Sequence, residues 1–351
     1  MYFSAPFMYE FLRIYPSMRK PCMVVGFCIL LSSLIGASFA QTIPQLLATQ
    51  GVLYAIGGSI HYFPAFLYLE EWFVSRRGLA YGTVWAGTGA SGIVIPLTME
   101  WVIRNYSFRT ALRTWAVASV VLTTPVLFFM KGRLPIETLR NRPQNINLAF
   151  FRSSAFWILQ TGNIVQSLGY FLPSLYLPSF ARSIGLSPFA GTLAVSLCNA
   201  STMIGATVTG HLVDRYHVTT AINFCTIGTV AAVFLLWSFA INQTVLYIFA
   251  ILYGVFAGGF AATWSGCSNP IRRNFPAVET GMIVSMFAAG KGIGAVISGP
   301  LSGSLLKANP WHGSIHTEFA YASGYGTLIL FSGLTAACQS IGWGAKKFGI
   351  I

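Results

Sequence analysis

The chain has 351 residues, of which 55% are hydrophobic and only 8% charged, with a formal net charge of +13. Soluble domains carry roughly 25% charged residues, so this composition cannot keep an aqueous surface wetted and argues against a water-soluble globular protein. The basic residues sit in short clusters between apolar stretches rather than in one patch, which argues against a nucleic-acid partner and for membrane topology.

A helix satisfies its backbone internally and needs roughly 20 apolar residues to cross a hydrocarbon core of about 30 Å. In chain order, such segments are predicted near 22–41, 48–69, 79–102, 112–130, 153–179, 188–210, 218–240, 245–267, 280–304 and 322–344, after a partial span at 1–12. Residues 1–20 carry Glu10, Arg13, Arg19 and Lys20 and lack the layout of a cleavable leader. Cysteines 22, 28, 198, 225, 267 and 338 fall singly within apolar runs, without a C-x-x-C pair, and read as free thiols in the lipid-spanning region.

If the segment after Lys20 runs outward, the inner side holds Arg13, Arg19, Lys20, Arg76, Arg77, Lys131, Arg133, Arg140, Arg142, Arg152, Arg215, Arg272, Arg273, Lys346 and Lys347. The outer side holds Arg104, Arg109, Arg113, Arg182 and Lys307. This imbalance is the positive-inside pattern, and it makes the longest polar connection, 131–152, cytoplasmic.

That connection separates two similar halves. Met1–Arg13 matches Met203–Arg215, Leu53-Tyr54 matches Leu252-Tyr253, Arg76-Arg77 matches Arg272-Arg273, and Ala86–Gly89 matches Ala289–Gly292, at offsets between 196 and 203. In-register matches of this kind point to a duplicated six-helix unit, with an N-terminal bundle at 1–130, a loop at 131–152 and a C-terminal bundle at 153–351. The second half reads as complete. The counterpart of its opening helix would precede Met1, so one helix and most of a second are expected to be missing from the first half.

Gly210-His211-Leu212-Val213-Asp214-Arg215 resembles the G-x-L-x-D-R loop that major facilitator transporters place after helices 2 and 8. Trp72–Gly82 (WFVSRRGLAYG) is similar to the stretch that opens the fifth helix in the fungal branch of the monocarboxylate-transporter family. The resemblance implies an all-α polytopic fold of two helical bundles with alternating access around a midplane cavity. It also implies secondary transport of a small organic solute, with a monocarboxylate as the family substrate. Two departures bear on this: the signature of the first helix is not in the chain, and where animal members carry Asp and Arg in helix 8, the aligned residues are Asn199 and Met203. Proton coupling by that pair is therefore not expected, and coupling stays open. An exporter of an amphipathic secondary metabolite and a shortened, non-transporting membrane protein are the alternatives.

Lys291 is the most informative single residue, because a lysine at the middle of a span costs about 2.5–3.5 kcal/mol on insertion scales and must face water or a partner. It either attracts an anionic substrate group or plays a structural role. Gln160, Asn163, Gln166, Ser167 and Tyr170 recur at steps of three or four and form one polar stripe that should look inward. Since helices 1, 4, 7 and 10 line the cavity in the resembled family, His61, Tyr253 and Trp264 join these candidates, although His61 reads equally as a satisfied core histidine.

Arg76, Arg77, Gly210, Asp214, Arg215, Arg272 and Arg273, with Glu70, Glu71 and Glu279, form the expected inner gating network. Glu100 and Arg104 are spaced for a pair across one turn. Gly87-x-Gly89-x-x-Gly92 fits a dinucleotide fingerprint by letters alone. Inside an apolar helix it reads as a close-packing face, as do Gly290, Gly292, Gly294 and the Gly299-Pro300 step. Asn105, Asn199 and Asn242 match glycosylation sequons, the second of them within a span. The expected partners are a small solute and the lipid bilayer. No cofactor, metal or catalytic set is expected, and the plasma membrane is the expected location, with a vacuolar or other internal membrane as the alternative.

Overall fold

The computed structural model describes residues 1–140, 148–308 and 320–349. Arg142, counted above among the inner cations, lies outside them. The main helices in chain order are α1 (Ala5–Ile14), α2 (Pro16–Ser38), α3 (Ile43–Trp72), α4 (Arg77–Asn105), α5 (Phe108–Phe129), α6 (Ser154–Tyr170) and α7 (Leu172–Ser183). They continue as α8 (Pro188–Arg215), α9 (Val218–Phe239), α10 (Gln243–Asn274), α11 (Thr280–Lys307) and α12 (Gly326–Lys347). Among the described residues, nine are long and apolar enough to cross a membrane: α2–α5 and α8–α12.

The remaining expected span, 153–179, is two helices meeting at Phe171. Pro173, near the start of α7, lacks an N–H for the ladder, so α6 stops at Tyr170 and a second helix begins at Leu172. Other boundaries follow local chemistry. Ser107, Ser187 and Asn242 cap α5, α8 and α10 by accepting from the backbone N–H of Thr110 (3.2 Å), Ala190 (3.2 Å) and Val245 (3.0 Å). Thr42 and Gln45 form a reciprocal capping box at the start of α3. Asn242 is thus engaged as a cap, and Asn105 donates to the Trp101 carbonyl at 2.8 Å.

By contacts the chain divides into two compact units, Met1–Ser75 with Thr98–Asn147, and Arg76–Leu97 with Leu148–Ile351. The division differs from the sequence-based one in giving the first part of α4 to the second unit. The reason is close packing on α8: a Cβ on Gly82 would meet the Ala206 carbonyl oxygen at 2.5 Å, and one on Gly89 would meet that of Asn199 at 2.6 Å. The sequence reading of these glycines as a packing face therefore fits at Gly89 and Gly92, whereas Gly87 faces open space.

In the first unit α2 packs on α3 and α5. Arg19 pairs with Glu71, both buried, and Glu71 also accepts from the backbone N–H of Arg133 (3.1 Å) and Leu134 (3.4 Å). An acid buried in this way must be fully hydrogen-bonded, and its donors tie the segment after α5 to the end of α3. Glu100 and Arg104 pair at 2.7 Å on α4, as spaced.

In the second unit α8 packs on α10, while α6 packs on α11 and α12. Its core stacks Trp237 on Phe249, with centroids 5.1 Å apart, and seats Phe180 against Trp237 and Tyr325. The six cysteines are free.

Candidate functional site

On α6, Gln160 donates to the Met286 carbonyl at 2.8 Å and Asn163 donates to that of Phe287 at 2.7 Å, both on α11. Gly290 and Gly294 make this approach possible, since a Cβ at either would collide with Gln160 or with Ser167 and the Ile164 carbonyl. Gln166 stands, by helical spacing, on the face of α6 that carries Gly162 and Gly169. Its neighbours on that face, Gly162 and Gly169, lie against Gln339 and against Ser332 with Thr335. Gln166 is buried and its side-chain oxygen has no hydrogen-bond partner among the described residues, as holds for Nε2 of Gln339 and Oγ of Ser332. Of the expected stripe, Gln160, Asn163, Ser167 and Tyr170 meet α11.

Lys291 lies at the middle of α11 and is 2% exposed. Its ammonium sits 4.0 Å from the centroid of the Tyr170 ring, 5.5 Å from that of Phe171 and 5.7 Å from that of Trp264. Aromatic faces carry negative quadrupole charge and stabilise a desolvated cation. At the end of α6 the Tyr253 hydroxyl donates to the Tyr170 carbonyl at 2.8 Å, which fixes the residue whose ring meets Lys291. Trp264 donates its indole N–H to Asn163 Oδ1 at 3.2 Å and meets Trp85 in a T-shaped pair at 5.8 Å. Six of the predicted residues, Gln160, Asn163, Tyr170, Tyr253, Trp264 and Lys291, are therefore one connected centre. Phe171 and Trp85 belong to it as well. Sequence reading passed over both, although Phe171, beside a proline at a helix break, was the signal available.

His61 belongs to the first unit. Its Nδ1 is 2.9 Å from the Met23 carbonyl, so that nitrogen carries the proton, and its ring lies 5.5 Å from Phe27. It holds α3 against α2, which is the core-histidine reading.

At the end of the second unit that the charge count assigns to the cytoplasm, Asp214 accepts from the backbone N–H of Gly78 (2.8 Å) and of Leu79 (2.9 Å), one on each carboxylate oxygen. Two free donors of the first turn of α4 are thereby satisfied by a negative charge at the positive end of the helix. Gly210 and Gly78 lie back to back; a Cβ on Gly210 would stand 2.9 Å from the Gly78 carbonyl carbon. Arg76, immediately before, has φ 56°, a left-handed conformation that costs a non-glycine residue free energy and persists where the surroundings hold it. Arg77 and Arg272 both donate to the Thr280 hydroxyl, at 3.0 and 3.3 Å, and Arg272 also holds the Val278 carbonyl at 3.1 Å. Arg215 and Arg273 are exposed. Arg273 and Lys346 act on His217, which caps α9 by accepting from the Thr219 N–H at 3.3 Å. Burial first, then these two cations, hold the His217 imidazole below its ordinary pKa.

Asn199, aligned with a carboxylate position in the resembled family, donates to the Gly92 carbonyl at 3.0 Å and fastens α8 to α4. Among the described residues, no group of three or more His, Cys, Asp or Glu side chains is placed to hold a metal.

The sequence profile of the Major Facilitator Superfamily matches residues 3–269. The chain is 23% identical over 318 residues to the MFS-type transporter pynF of Aspergillus niger, covering 90% of this chain and 72% of that protein. It is 23% identical over 338 residues to the aspyridones efflux protein apdF of Emericella nidulans, covering 93% of this chain and 65% of that protein. In fold it is similar to the human organic anion transporter MFSD10 (TETRAN), with a TM-score of 0.67 at 10% identity, over 95% of this chain and 80% of that one.

Proposed function

Because the chain belongs to the Major Facilitator Superfamily, we propose that it is a secondary transporter that moves a small, amphipathic organic acid across a membrane by alternating access between bundles at 1–130 and 153–351. The observation that carries this reading is the Lys291 centre. A buried ammonium ringed by Tyr170, Phe171 and Trp264 offers charge for an acidic group and flat apolar faces for the carbon skeleton beside it.

Export is favoured over uptake, since a relative that aligns with 93% of the chain is named as the efflux protein of aspyridones. The resemblance of Trp72–Gly82 to the monocarboxylate branch supports an acidic solute. The hydrogen bond from Asn199 to Gly92 supports an acid-binding role for Lys291 in place of helix 8. A proton gradient is the proposed energy source, and the plasma membrane the proposed location.

The test is efflux from proteoliposomes loaded with a fluorescent aromatic carboxylate or with its neutral amide. The expected result is transport of the acid over the amide, reduced at least about tenfold in Lys291→Gln, the order of one strong charge-assisted contact. Equal movement of acid and amide overturns the acid specificity. Movement of neither favours a non-transporting membrane protein.

A further inference from the structure

Away from the Lys291 centre, α9 and α12 leave a groove of about 460 Å³ between them. Asn223, Thr226 and Ser340 line one end, and Ile227, Val230 and Phe234 continue along its length. On α9 these positions recur at helical spacing and form one face. From Asn223 to Leu235, at 1.5 Å per residue, the groove runs about 18 Å along the axis. That is close to one leaflet of a hydrocarbon core of about 30 Å. At its apolar end α9 opens into a π-helical turn, Ala232–Leu236, and the Phe234 ring lies over Gly333, where any Cβ would collide with it. Wide turns of this kind occur frequently at functional sites.

Positive charge gathers at the same end of α9 and α12. Lys346 and Lys347 are exposed at the end of α12, where Lys347 reaches the ring of Trp343 at 6.0 Å. Lys346 and Arg273 both act on His217, the residue that caps α9 less than two turns before Asn223. An exposed tryptophan beside lysines at the end of a span is an interfacial anchor at headgroup level.

We propose that this groove binds an anionic glycerophospholipid of the leaflet that the start of α9 faces. The acyl chain lies against Ile227, Val230 and Phe234, the ester region meets Asn223 and Ser340, and the phosphate meets Lys346 and Lys347. Charge complementarity selects this occupant. A free phosphate leaves the apolar length uncovered, and a neutral lipid leaves the lysines without a role. The bound lipid bridges α9 and α12 and steadies the second unit.

The test uses the full chain in nanodiscs of phosphatidylcholine with phosphatidylglycerol bearing a diazirine in its acyl chain. Crosslinks are mapped by peptide mass spectrometry, and retained lipid is counted by native mass spectrometry. Crosslinks are expected to concentrate between Ile227 and Leu235 and to vanish in Val230→Trp, which fills the groove. Lys346→Gln with Lys347→Gln, which leaves the groove intact, is expected to weaken phosphatidylglycerol retention by about fivefold per lysine and to leave phosphatidylcholine unchanged. Crosslinks spread equally over exposed α5, equal retention of the two lipids, or a groove covered by a second copy of the chain each overturn the proposal. Because no substrate is involved, failure here is separable from failure of the transport reading.

Discussion

Helices α5 and α11 have the same mean hydropathy, 1.5, yet 11% of the most apolar stretch of α5 is buried against 67% of that of α11. Average apolarity therefore qualifies a helix for the membrane without saying whether it meets lipid or protein. Side-chain size makes the difference. α5 presents Val117, Val121, Leu122, Phe128 and Phe129 outward, bulky groups that a lipid tail solvates as well as a neighbouring helix does. α11 carries Gly290, Gly294, Ser298 and Ser302 at close spacing, so another backbone can approach and hydrogen-bond to it. Its buried lysine is tolerated for the same reason: the helix is surrounded by protein groups that stabilise the charge.

Four substitutions test how far that contrast goes, and the largest effect is expected at the helix contact itself. Gly294→Leu places branched carbon where Ser167 Cβ and the Ile164 oxygen already stand within 2.7 Å of a single added atom, with backbone on one side that cannot turn away. The expected loss is about 3 kcal/mol, seen as a lower melting temperature in detergent, while the matched Val121→Leu on α5 leaves melting unchanged. Equal effects of the two would dissolve the comparison.

Lys291→Met comes next, with a split outcome. Transport of an organic acid should fall at least about tenfold, while thermal stability is kept or raised, because an apolar chain of similar length removes a desolvated charge. A protein that melts much earlier than the parent would make Lys291 a structural residue.

Asp214→Asn exchanges one carboxylate acceptor for an amide donor facing the N–H groups of Gly78 and Leu79. The start of α4 should lose roughly 1–2 kcal/mol of local stability, read as faster thiol labelling of a cysteine introduced at Leu79. Unchanged labelling would reduce the cap to a surface contact.

The smallest effect is at His217. Its pKa is lowered in the folded protein, so the neutral ring that caps α9 is favoured; this stability is complete above the ordinary histidine value and is lost as pH falls through the lowered one. Hydrogen exchange of Val218–Ala221 should therefore quicken as pH drops below about 6.5, after correction for intrinsic rates. His217→Asn keeps an acceptor and should remove the pH dependence. Persistence of the step in that variant would place the titration elsewhere.

Much of the candidate centre was legible in the chain, and the reason is energetic. A lysine in the middle of an apolar run, and amides at helical spacing beside it, are costly in lipid and must be used by the protein. What spacing could not resolve is direction. Gln160 and Asn163 reach carbonyls of α11, because a helical stripe broad enough to hold five polar residues touches two neighbours at once, and packing settles which residue meets which. His61 had no local feature to name its partner; the Met23 carbonyl that it bonds lies 38 residues away in sequence.

The sequence by itself determined the elements: apolar length sets the spans, and Ser107, Ser187 and Asn242 set where helices begin, since both depend on neighbours within a few residues. It determined the superfamily as well, through short motifs whose spacing is local. Only the tertiary structure decided the seating of Lys291 against the Tyr170 and Phe171 rings, the assignment of the first part of α4 to the second unit, and the use of Asp214 as its cap. Each of these rests on contacts between residues more than a hundred positions apart, and no local preference encodes such a pairing until packing brings the helices together.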